Sequence, residues 1–236
     1  MQLLRFTSLI FALGLMVSQL FATTVSFGKS SEDIRTYDVQ PFTKIHLEGA
    51  YKVVLEQGTH AGLKIKTDEN SFGYIDVNSD AETLSLKISK KHFDFKELTL
   101  YITFVDLDKI DIDGGMSLET TGYVALKDFC LHVKGGASIE MNMKANRVNV
   151  IGEGGVKFEF DGIADELDAS ISGAGYIDAI DLKTKKTNIK VEGVGAGSVY
   201  ATEVLNATIQ GVGKIRYKGN PKVNKNIEGV GLVSMD

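Results

Sequence analysis

The chain contains one cysteine, two prolines and no tryptophan in 236 residues. A single cysteine, Cys130, excludes an intramolecular disulfide, so stability has to come from packing and hydrogen bonds. In "KDFCLHV" it reads as a small buried apolar residue rather than a nucleophile, since no His/Asn pattern accompanies it. Without tryptophan there is no indole platform for a sugar. Proline scarcity leaves glycine, present 25 times, to punctuate the fold. No window has the period of an amphipathic helix, and short alternating runs dominate instead, which predicts an all-β domain. The 26 basic residues are outnumbered by 31 acidic ones, for a net charge of −5. That balance argues against nucleic acid or an anionic membrane surface as the main partner.

The first 22 residues, "MQLLRFTSLIFALGLMVSQLFA", place one charge, Arg5, before an apolar run that ends on the small residue Ala22. This is the pattern of a secretory signal peptide. The run is short for a membrane span of about 20 residues. Export is therefore expected, to the periplasm or the cell surface, with residues 23–40 as an N-terminal extension.

The dominant feature is a repeat. Aligning the glycine that follows an apolar-polar pair gives Gly114, Gly135, Gly154, Gly173, Gly193, Gly211 and Gly229, spaced 18 to 21 residues apart. Two residues before these glycines stand Ile112, Val133, Ile171, Val191, Ile209 and Ile227, with Gly152 as the exception. Four residues after them stand Leu118, Ile139, Phe158, Ile177, Ile215 and Val233. The Gly193 unit is aligned by treating Ala196-Gly197 as an insertion that brings Val199 into this column. Two apolar positions flanking a glycine corner, with no helical segment in any unit, predict a single-stranded parallel β-helix, a solenoid with coils of 18–21 residues. "IHLEGAYKVVLEQG" fits the same template at Gly49. The solenoid domain is thus expected over 41–236, with irregular first coils or a cap at 41–113 and regular Gly-x-Gly coils at 114–236. Gly49 and the seven later glycines are the expected structural corners.

Phe42, Ile45, Gly49, Val53 and Gly58 in "PFTKIHLEGAYKVVLEQG", then "TDENSFGYIDVNSDAETLSLKI", then the Gly-x-Gly units, resemble the autotransporter-adhesin head family named for Gly-Ile-Asn tripeptides, the GIN domain. The resemblance covers nearly all of 40–236, although no Gly-Ile-Asn tripeptide occurs and Gly-Val-Gly or Gly-Ala-Gly stands in its place. It implies a bacterial exported β-helix assigned to adhesion, with no catalytic residue to carry over.

Five residues after the corner glycine the column reads Glu119, Glu140, Glu159 and Asp178, then Tyr200 after the insertion, then Arg216. Stacked in register, four carboxylates would lie at intervals of about 5 Å. Such a ladder is a solvated acidic stripe, a cation ladder suited to calcium, or the paired carboxylates of a polysaccharide hydrolase or lyase. The first reading is adopted, since a flat ladder offers calcium too few converging oxygens and the rest of a catalytic constellation is missing. His46, His60, His92 and His132 have no metal-ligand spacing. No cofactor is expected. The basic run at 181–190 reads as a solvated corner, with an anionic glycan contact as the lesser reading. Tyr51, Tyr176 and Tyr200 fall near corners, as core caps or sugar contacts.

The function expected is that of a non-enzymatic surface or periplasmic binding module, with a cell-surface glycan or protein as partner. The alternative is a polysaccharide-active enzyme. Gly229 opens a unit that the sequence does not complete, which leads to the expectation of a homo-oligomer covering that end.

Overall fold

The structure is a computed structural model that describes residues 32–89 and 97–236. The signal peptide expected at 1–22 and His92 lie outside the described residues. Nine strands follow in chain order: β1 (Glu32–Tyr37), β2 (Lys44–Gln57), β3 (Gly62–Asp68), β4 (Ile75–Ser79), β5 (Thr83–Ile88), β6 (Thr99–Phe104), β7 (Lys109–Ala125), β8 (Asp128–Lys218) and β9 (Lys222–Met235). One 3₁₀ turn, Glu69–Tyr74, lies between β3 and β4.

The parallel β-helix expected from the repeat is corrected here. All nine strands belong to one mixed, unclosed sheet with the backbone order β1-β3-β6-β2-β7-β8-β9, while β5 joins β2 and β4 joins β5. The pairs β1–β3, β3–β6 and β4–β5 are antiparallel. The reason is local. Apolar-polar alternation in "LKIKT" or "TLSLKIS" says that a strand is half-buried but not which way it runs. Tight turns decide that, and one of them is the "SDAET" corner: Asp80 Oδ1 accepts the N–H groups of Glu82 and Thr83 at 2.9 and 2.8 Å, reversing β4 into β5. Residues 32–37, placed by the sequence in an N-terminal extension, pair along their whole length with β3 as β1.

Where the glycine repeat operates, the pairing is parallel and in register. Gly49 faces Gly114 in β2–β7, Gly114 faces Gly135 in β7–β8, and Gly211 faces Gly229 in β8–β9. Within the 91 residues of β8 the same contact recurs, as each corner glycine lies against the carbonyl of the one a unit earlier. The corner glycines have φ between 104° and 141°. At Gly114 a Cβ would fall 2.0 Å from the Gly49 carbonyl oxygen, and at Gly211 one would fall 2.2 Å from that of Gly193. Both demands, positive φ and an approach closer than any side chain permits, are met only by glycine.

The two apolar columns flanking these corners form the core. Ile112, Val133, Ile171, Val191 and Ile209 are buried on one side, and Leu118, Ile139, Phe158, Ile177 and Ile215 on the other. Burial of each such side chain contributes about 1.5–3 kcal/mol. Gly152, which breaks the first column, makes room for the Phe158 ring, whose Cε2 is 2.8 Å from where a Cβ would sit. Ile227, in the final unit, is 37% exposed, because no further unit lies over it among the described residues.

Gly211→Ala therefore forces backbone apart as well as straining φ, and we expect a loss of about 3 kcal/mol or more. At Gly122, φ is 70° and a Cβ would meet open space. Gly122→Ala should cost only about 1–2 kcal/mol. Chemical denaturation of the two variants beside the parent checks the difference.

Candidate binding faces

Outside the core columns, alternate residues of each unit point outward, and the register aligns them into two arrays on either side of the glycine corner. The array after the corner contains the acidic column. Glu119 pairs in register with Glu140. Glu140, Glu159 and Asp178 line a groove of about 240 Å³ with Asn142, Asp161 and Asp181. Part of the charge is met locally. Lys52 Nζ lies 3.0 Å from Glu119 and Lys157 Nζ 2.7 Å from Glu159. Asp178 accepts the Tyr176 hydroxyl at 2.9 Å and the Ile180 N–H at 3.3 Å. The carboxylates run side by side along the sheet. Among the described residues, no three His, Cys, Asp or Glu side chains converge as metal ligands would.

The insertion used to align the Gly193 unit is not where the chain places its extra residues. Gly197 lies against Ile177, 20 residues earlier, and the Arg216 guanidinium donates to Ser198 Oγ at 3.2 Å. The acidic column is continued by Ser198 and Arg216, while Tyr200 falls two residues further along the same outward array. There the Tyr200 ring has Lys218 Nζ at 5.0 Å and Lys183 Nζ at 6.0 Å from its centre. Tyr51 is a core residue, 8% exposed, whose hydroxyl donates to the Leu86 carbonyl at 3.4 Å, so it is no sugar contact. Burial first of all raises its hydroxyl well above the usual range.

The array before the corner is a second repeated feature, absent from the expectations above. Five residues ahead of successive glycines stand Cys130, Asn149, Asp168, Asn188, Asn206 and Asn224. Their side chains form a ladder of amides. Asn188 Nδ2 donates to Asp168, Asn206 Nδ2 to Asn188 Oδ1 at 2.6 Å, and Asn224 Nδ2 to Asn206 Oδ1 at 2.8 Å. Asn188 and Asn206 each use a donor toward the preceding unit and an acceptor toward the next. A polar trough of about 240 Å³ follows the ladder, lined also by Ser170, Lys190 and Thr208. Cys130 heads this column, half-buried and outward, rather than inside the core. Asn149 Nδ2 is 4.0 Å from its sulfur, and burial pushes its thiol pKa up, as befits an unreactive cysteine. The signal that would have found the ladder is the amide column itself, which reads off the same alignment that yields the glycines.

The trough is bordered by an ion-paired cluster. Glu166 is bound by Lys186 and by Arg147 Nη2 at 3.1 Å. The Lys186 hydrogen bond, followed by its charge and that of Arg147, holds the Glu166 carboxyl below its ordinary 4.5. In the same basic run, Lys185 pairs with Asp165 at 2.7 Å and Lys190 with Glu192 at 2.5 Å. His132 sits between neighbouring units with Nε2 3.2 Å from Glu153 and Nδ1 3.6 Å from Asp111.

Two tests follow from this geometry. Asn206→Ala leaves the Asn188 carbonyl and the Asn224 amide without their partner, and thermal unfolding should report a loss of about 1–2 kcal/mol. Glu166 has a folded-state pKa below its unfolded value, so its contribution is fully present above about 4.5 and disappears as pH falls through the folded pKa. Glu166→Gln should therefore be less stable than the parent near neutrality. The gap should close in acid below the carboxylate range, as measured by denaturant midpoints across pH.

A family model described as "Putative auto-transporter adhesin, head GIN domain" matches residues 41–221. A crystal structure called a putative adhesin, from Bacteroides fragilis, superposes with a TM-score of 0.84 at 26% identity, covering 87% of this chain and 97% of that one. A putative adhesin from Parabacteroides distasonis gives 0.70 at 23% identity, covering 89% and 98%. A protein from the same organism called a putative lipid binding protein gives 0.69 at 21% identity, again covering 89% and 98%. The last two likenesses concern fold alone. No curated protein matches the chain.

Proposed function

Because the chain belongs to the family of auto-transporter adhesin head GIN domains, we propose that it is an exported, non-enzymatic binding module that engages an extended ligand along its outward arrays. The observation that carries this reading is the amide ladder with its trough. Beyond the bonds spent within the ladder, Asn206 keeps a second amide N–H, and Asn188 and Asn206 each keep a second carbonyl lone pair; with Asn149 and Asp168 they line a linear track at the strand spacing. That track fits a polymer with regularly spaced hydroxyls better than a compact small molecule. The trough is shallow and polar, and hydrogen bonds repeated along it give affinity by number rather than by one deep pocket. The Bacteroides fragilis relative, described as a putative adhesin, supports the same class of role.

The alternative, a polysaccharide hydrolase or lyase, rests on Glu140, Glu159 and Asp178 sharing a groove. Against it, Glu159 is ion-paired and Asp178 is held by Tyr176 and the backbone. Both side chains are thus engaged by partners within the sheet.

Residues 23–236, incubated with a panel of neutral and acidic polysaccharides, should be retained on one class of polymer without producing new chain ends. Asn188→Ala with Asn206→Ala should weaken retention, while Glu140→Gln with Glu159→Gln should leave it largely unchanged. New chain ends that vanish in the carboxylate double variant would establish the enzyme instead.

A further inference from the structure

The array after the corner changes character along its length. Its early units carry Gly115, Gly136 and Gly155 at the first outward position, with Glu119, Glu140, Glu159 and Asp178 beyond. In its last three units the first position becomes Val194, Val212 and Val230, stacked in register and between 52% and 71% exposed. Leu232, opposite Lys214 on the adjoining strand, is 53% exposed. Val194, Val212, Val230 and Leu232 line one continuous shallow hollow, and Lys214 lines it with them.

Directly beside this apolar strip the same strand turns basic. In "GVGKIRYKG", Ile215 points into the core, while Lys214, Arg216 and Lys218 alternate outward and are exposed. They stand roughly 6.8 Å apart, at two residues per step. Lys183 approaches Lys218 across the Tyr200 ring. Arg216 pairs with Asp236 at 3.1 Å. Among the described residues, Lys183, Lys214 and Lys218 have no carboxylate partner, whereas Lys52, Lys157, Lys185 and Lys190 each have one.

An exposed strip of aliphatic side chains bordered by uncompensated ammonium groups is the surface chemistry of an interfacial anchor. The apolar groups enter the boundary between headgroups and acyl chains, and the cations meet anionic headgroups. We propose that the end of the sheet formed by residues 194–232 docks on an anionic lipid surface. The acidic half of the same array supplies the orientation. Glu140, Asp161, Asp178 and Asp181 are repelled by such a surface, so the molecule meets it by its basic end and holds the early units away. The overall charge of −5 conceals this division, because it averages the two halves. A second copy is the less fitting occupant, since stacking two such strips would bring Lys214 and Lys218 toward their own counterparts. An acidic polysaccharide would satisfy the cations but leave the valines in water. This inference does not depend on which polymer the amide ladder binds.

The test is flotation of residues 23–236 with vesicles of phosphatidylcholine alone and of phosphatidylcholine mixed with phosphatidylglycerol. Binding to the mixed vesicles only is expected, falling at least tenfold in high salt. Lys214→Gln with Lys218→Gln should abolish it. So should Val212→Thr with Val230→Thr, a change that keeps β-branched side chains on the strand. Far-UV circular dichroism and the thermal midpoint confirm that both variants remain folded. Absence of binding to the mixed vesicles overturns the proposal, as does binding that either folded variant retains. Retention on a soluble acidic polysaccharide without vesicle binding, or a dimer that Val212→Thr with Val230→Thr dissolves, would assign the surface to those occupants and overturn it equally.

Discussion

The contact on which everything else depends is the one between a glycine and the carbonyl oxygen of the glycine one unit before it. At Gly114, Gly211 and Gly229 a Cβ would lie 2.0 to 2.2 Å from that oxygen. The oxygen thus occupies the place where any other residue would carry its side chain. Because the contact is made at the same point in every unit, it sets the phase of everything downstream: which residues turn inward to the core and which outward to solvent. A slip by one residue would exchange the two sets, burying the carboxylates and exposing the isoleucines.

From that phase come both faces. The inward columns supply hydrophobic stabilisation in which each unit covers its neighbours, and the outward columns inherit the spacing of the strands without any design of their own. The amide ladder, the acidic groove and the valine strip are three fillings of the same lattice. Hydrogen bonding between stacked asparagines, unlike charge between stacked carboxylates, is self-satisfying at this spacing, since an amide has both a donor and an acceptor to offer. The carboxylate column must instead import lysines and a tyrosine hydroxyl to remain tolerable.

What could be read from sequence follows the same division. The all-β class, the glycine corners' alignment and the two apolar columns were visible because period and polarity alone encode them. The sense of the strands before Gly114 was not, because alternation is the same for parallel and antiparallel neighbours, and the Asp80 corner that reverses β4 into β5 leaves only a short polar stretch as its trace. A lone cysteine in the alternating run "KDFCLHV" reads as buried, but it is Phe129 and Leu131 that are buried, and the half-buried cysteine between them points out. At the site level the carboxylate column is legible because like charge recurs at the unit period. The amide ladder needed the same column-by-column reading applied to neutral side chains, and the position of Tyr200 depended on where two extra residues were absorbed. Composition misled in one further respect, since a net charge has no address on the surface.

Units here differ in length by as many as three residues, yet their corners remain in register. The surplus is absorbed away from the corner, as at the shift between Glu119 and Tyr123, where Gly122 turns with φ of 70° in open space. For a lineage this amounts to two distinct rates of permitted change. Single-residue insertions can accumulate at the shoulders and vary what is displayed there, while the gain or loss of a whole unit preserves every contact at the seam. Length along the sheet and what the shoulders display are therefore separable changes, and one can alter without disturbing the other.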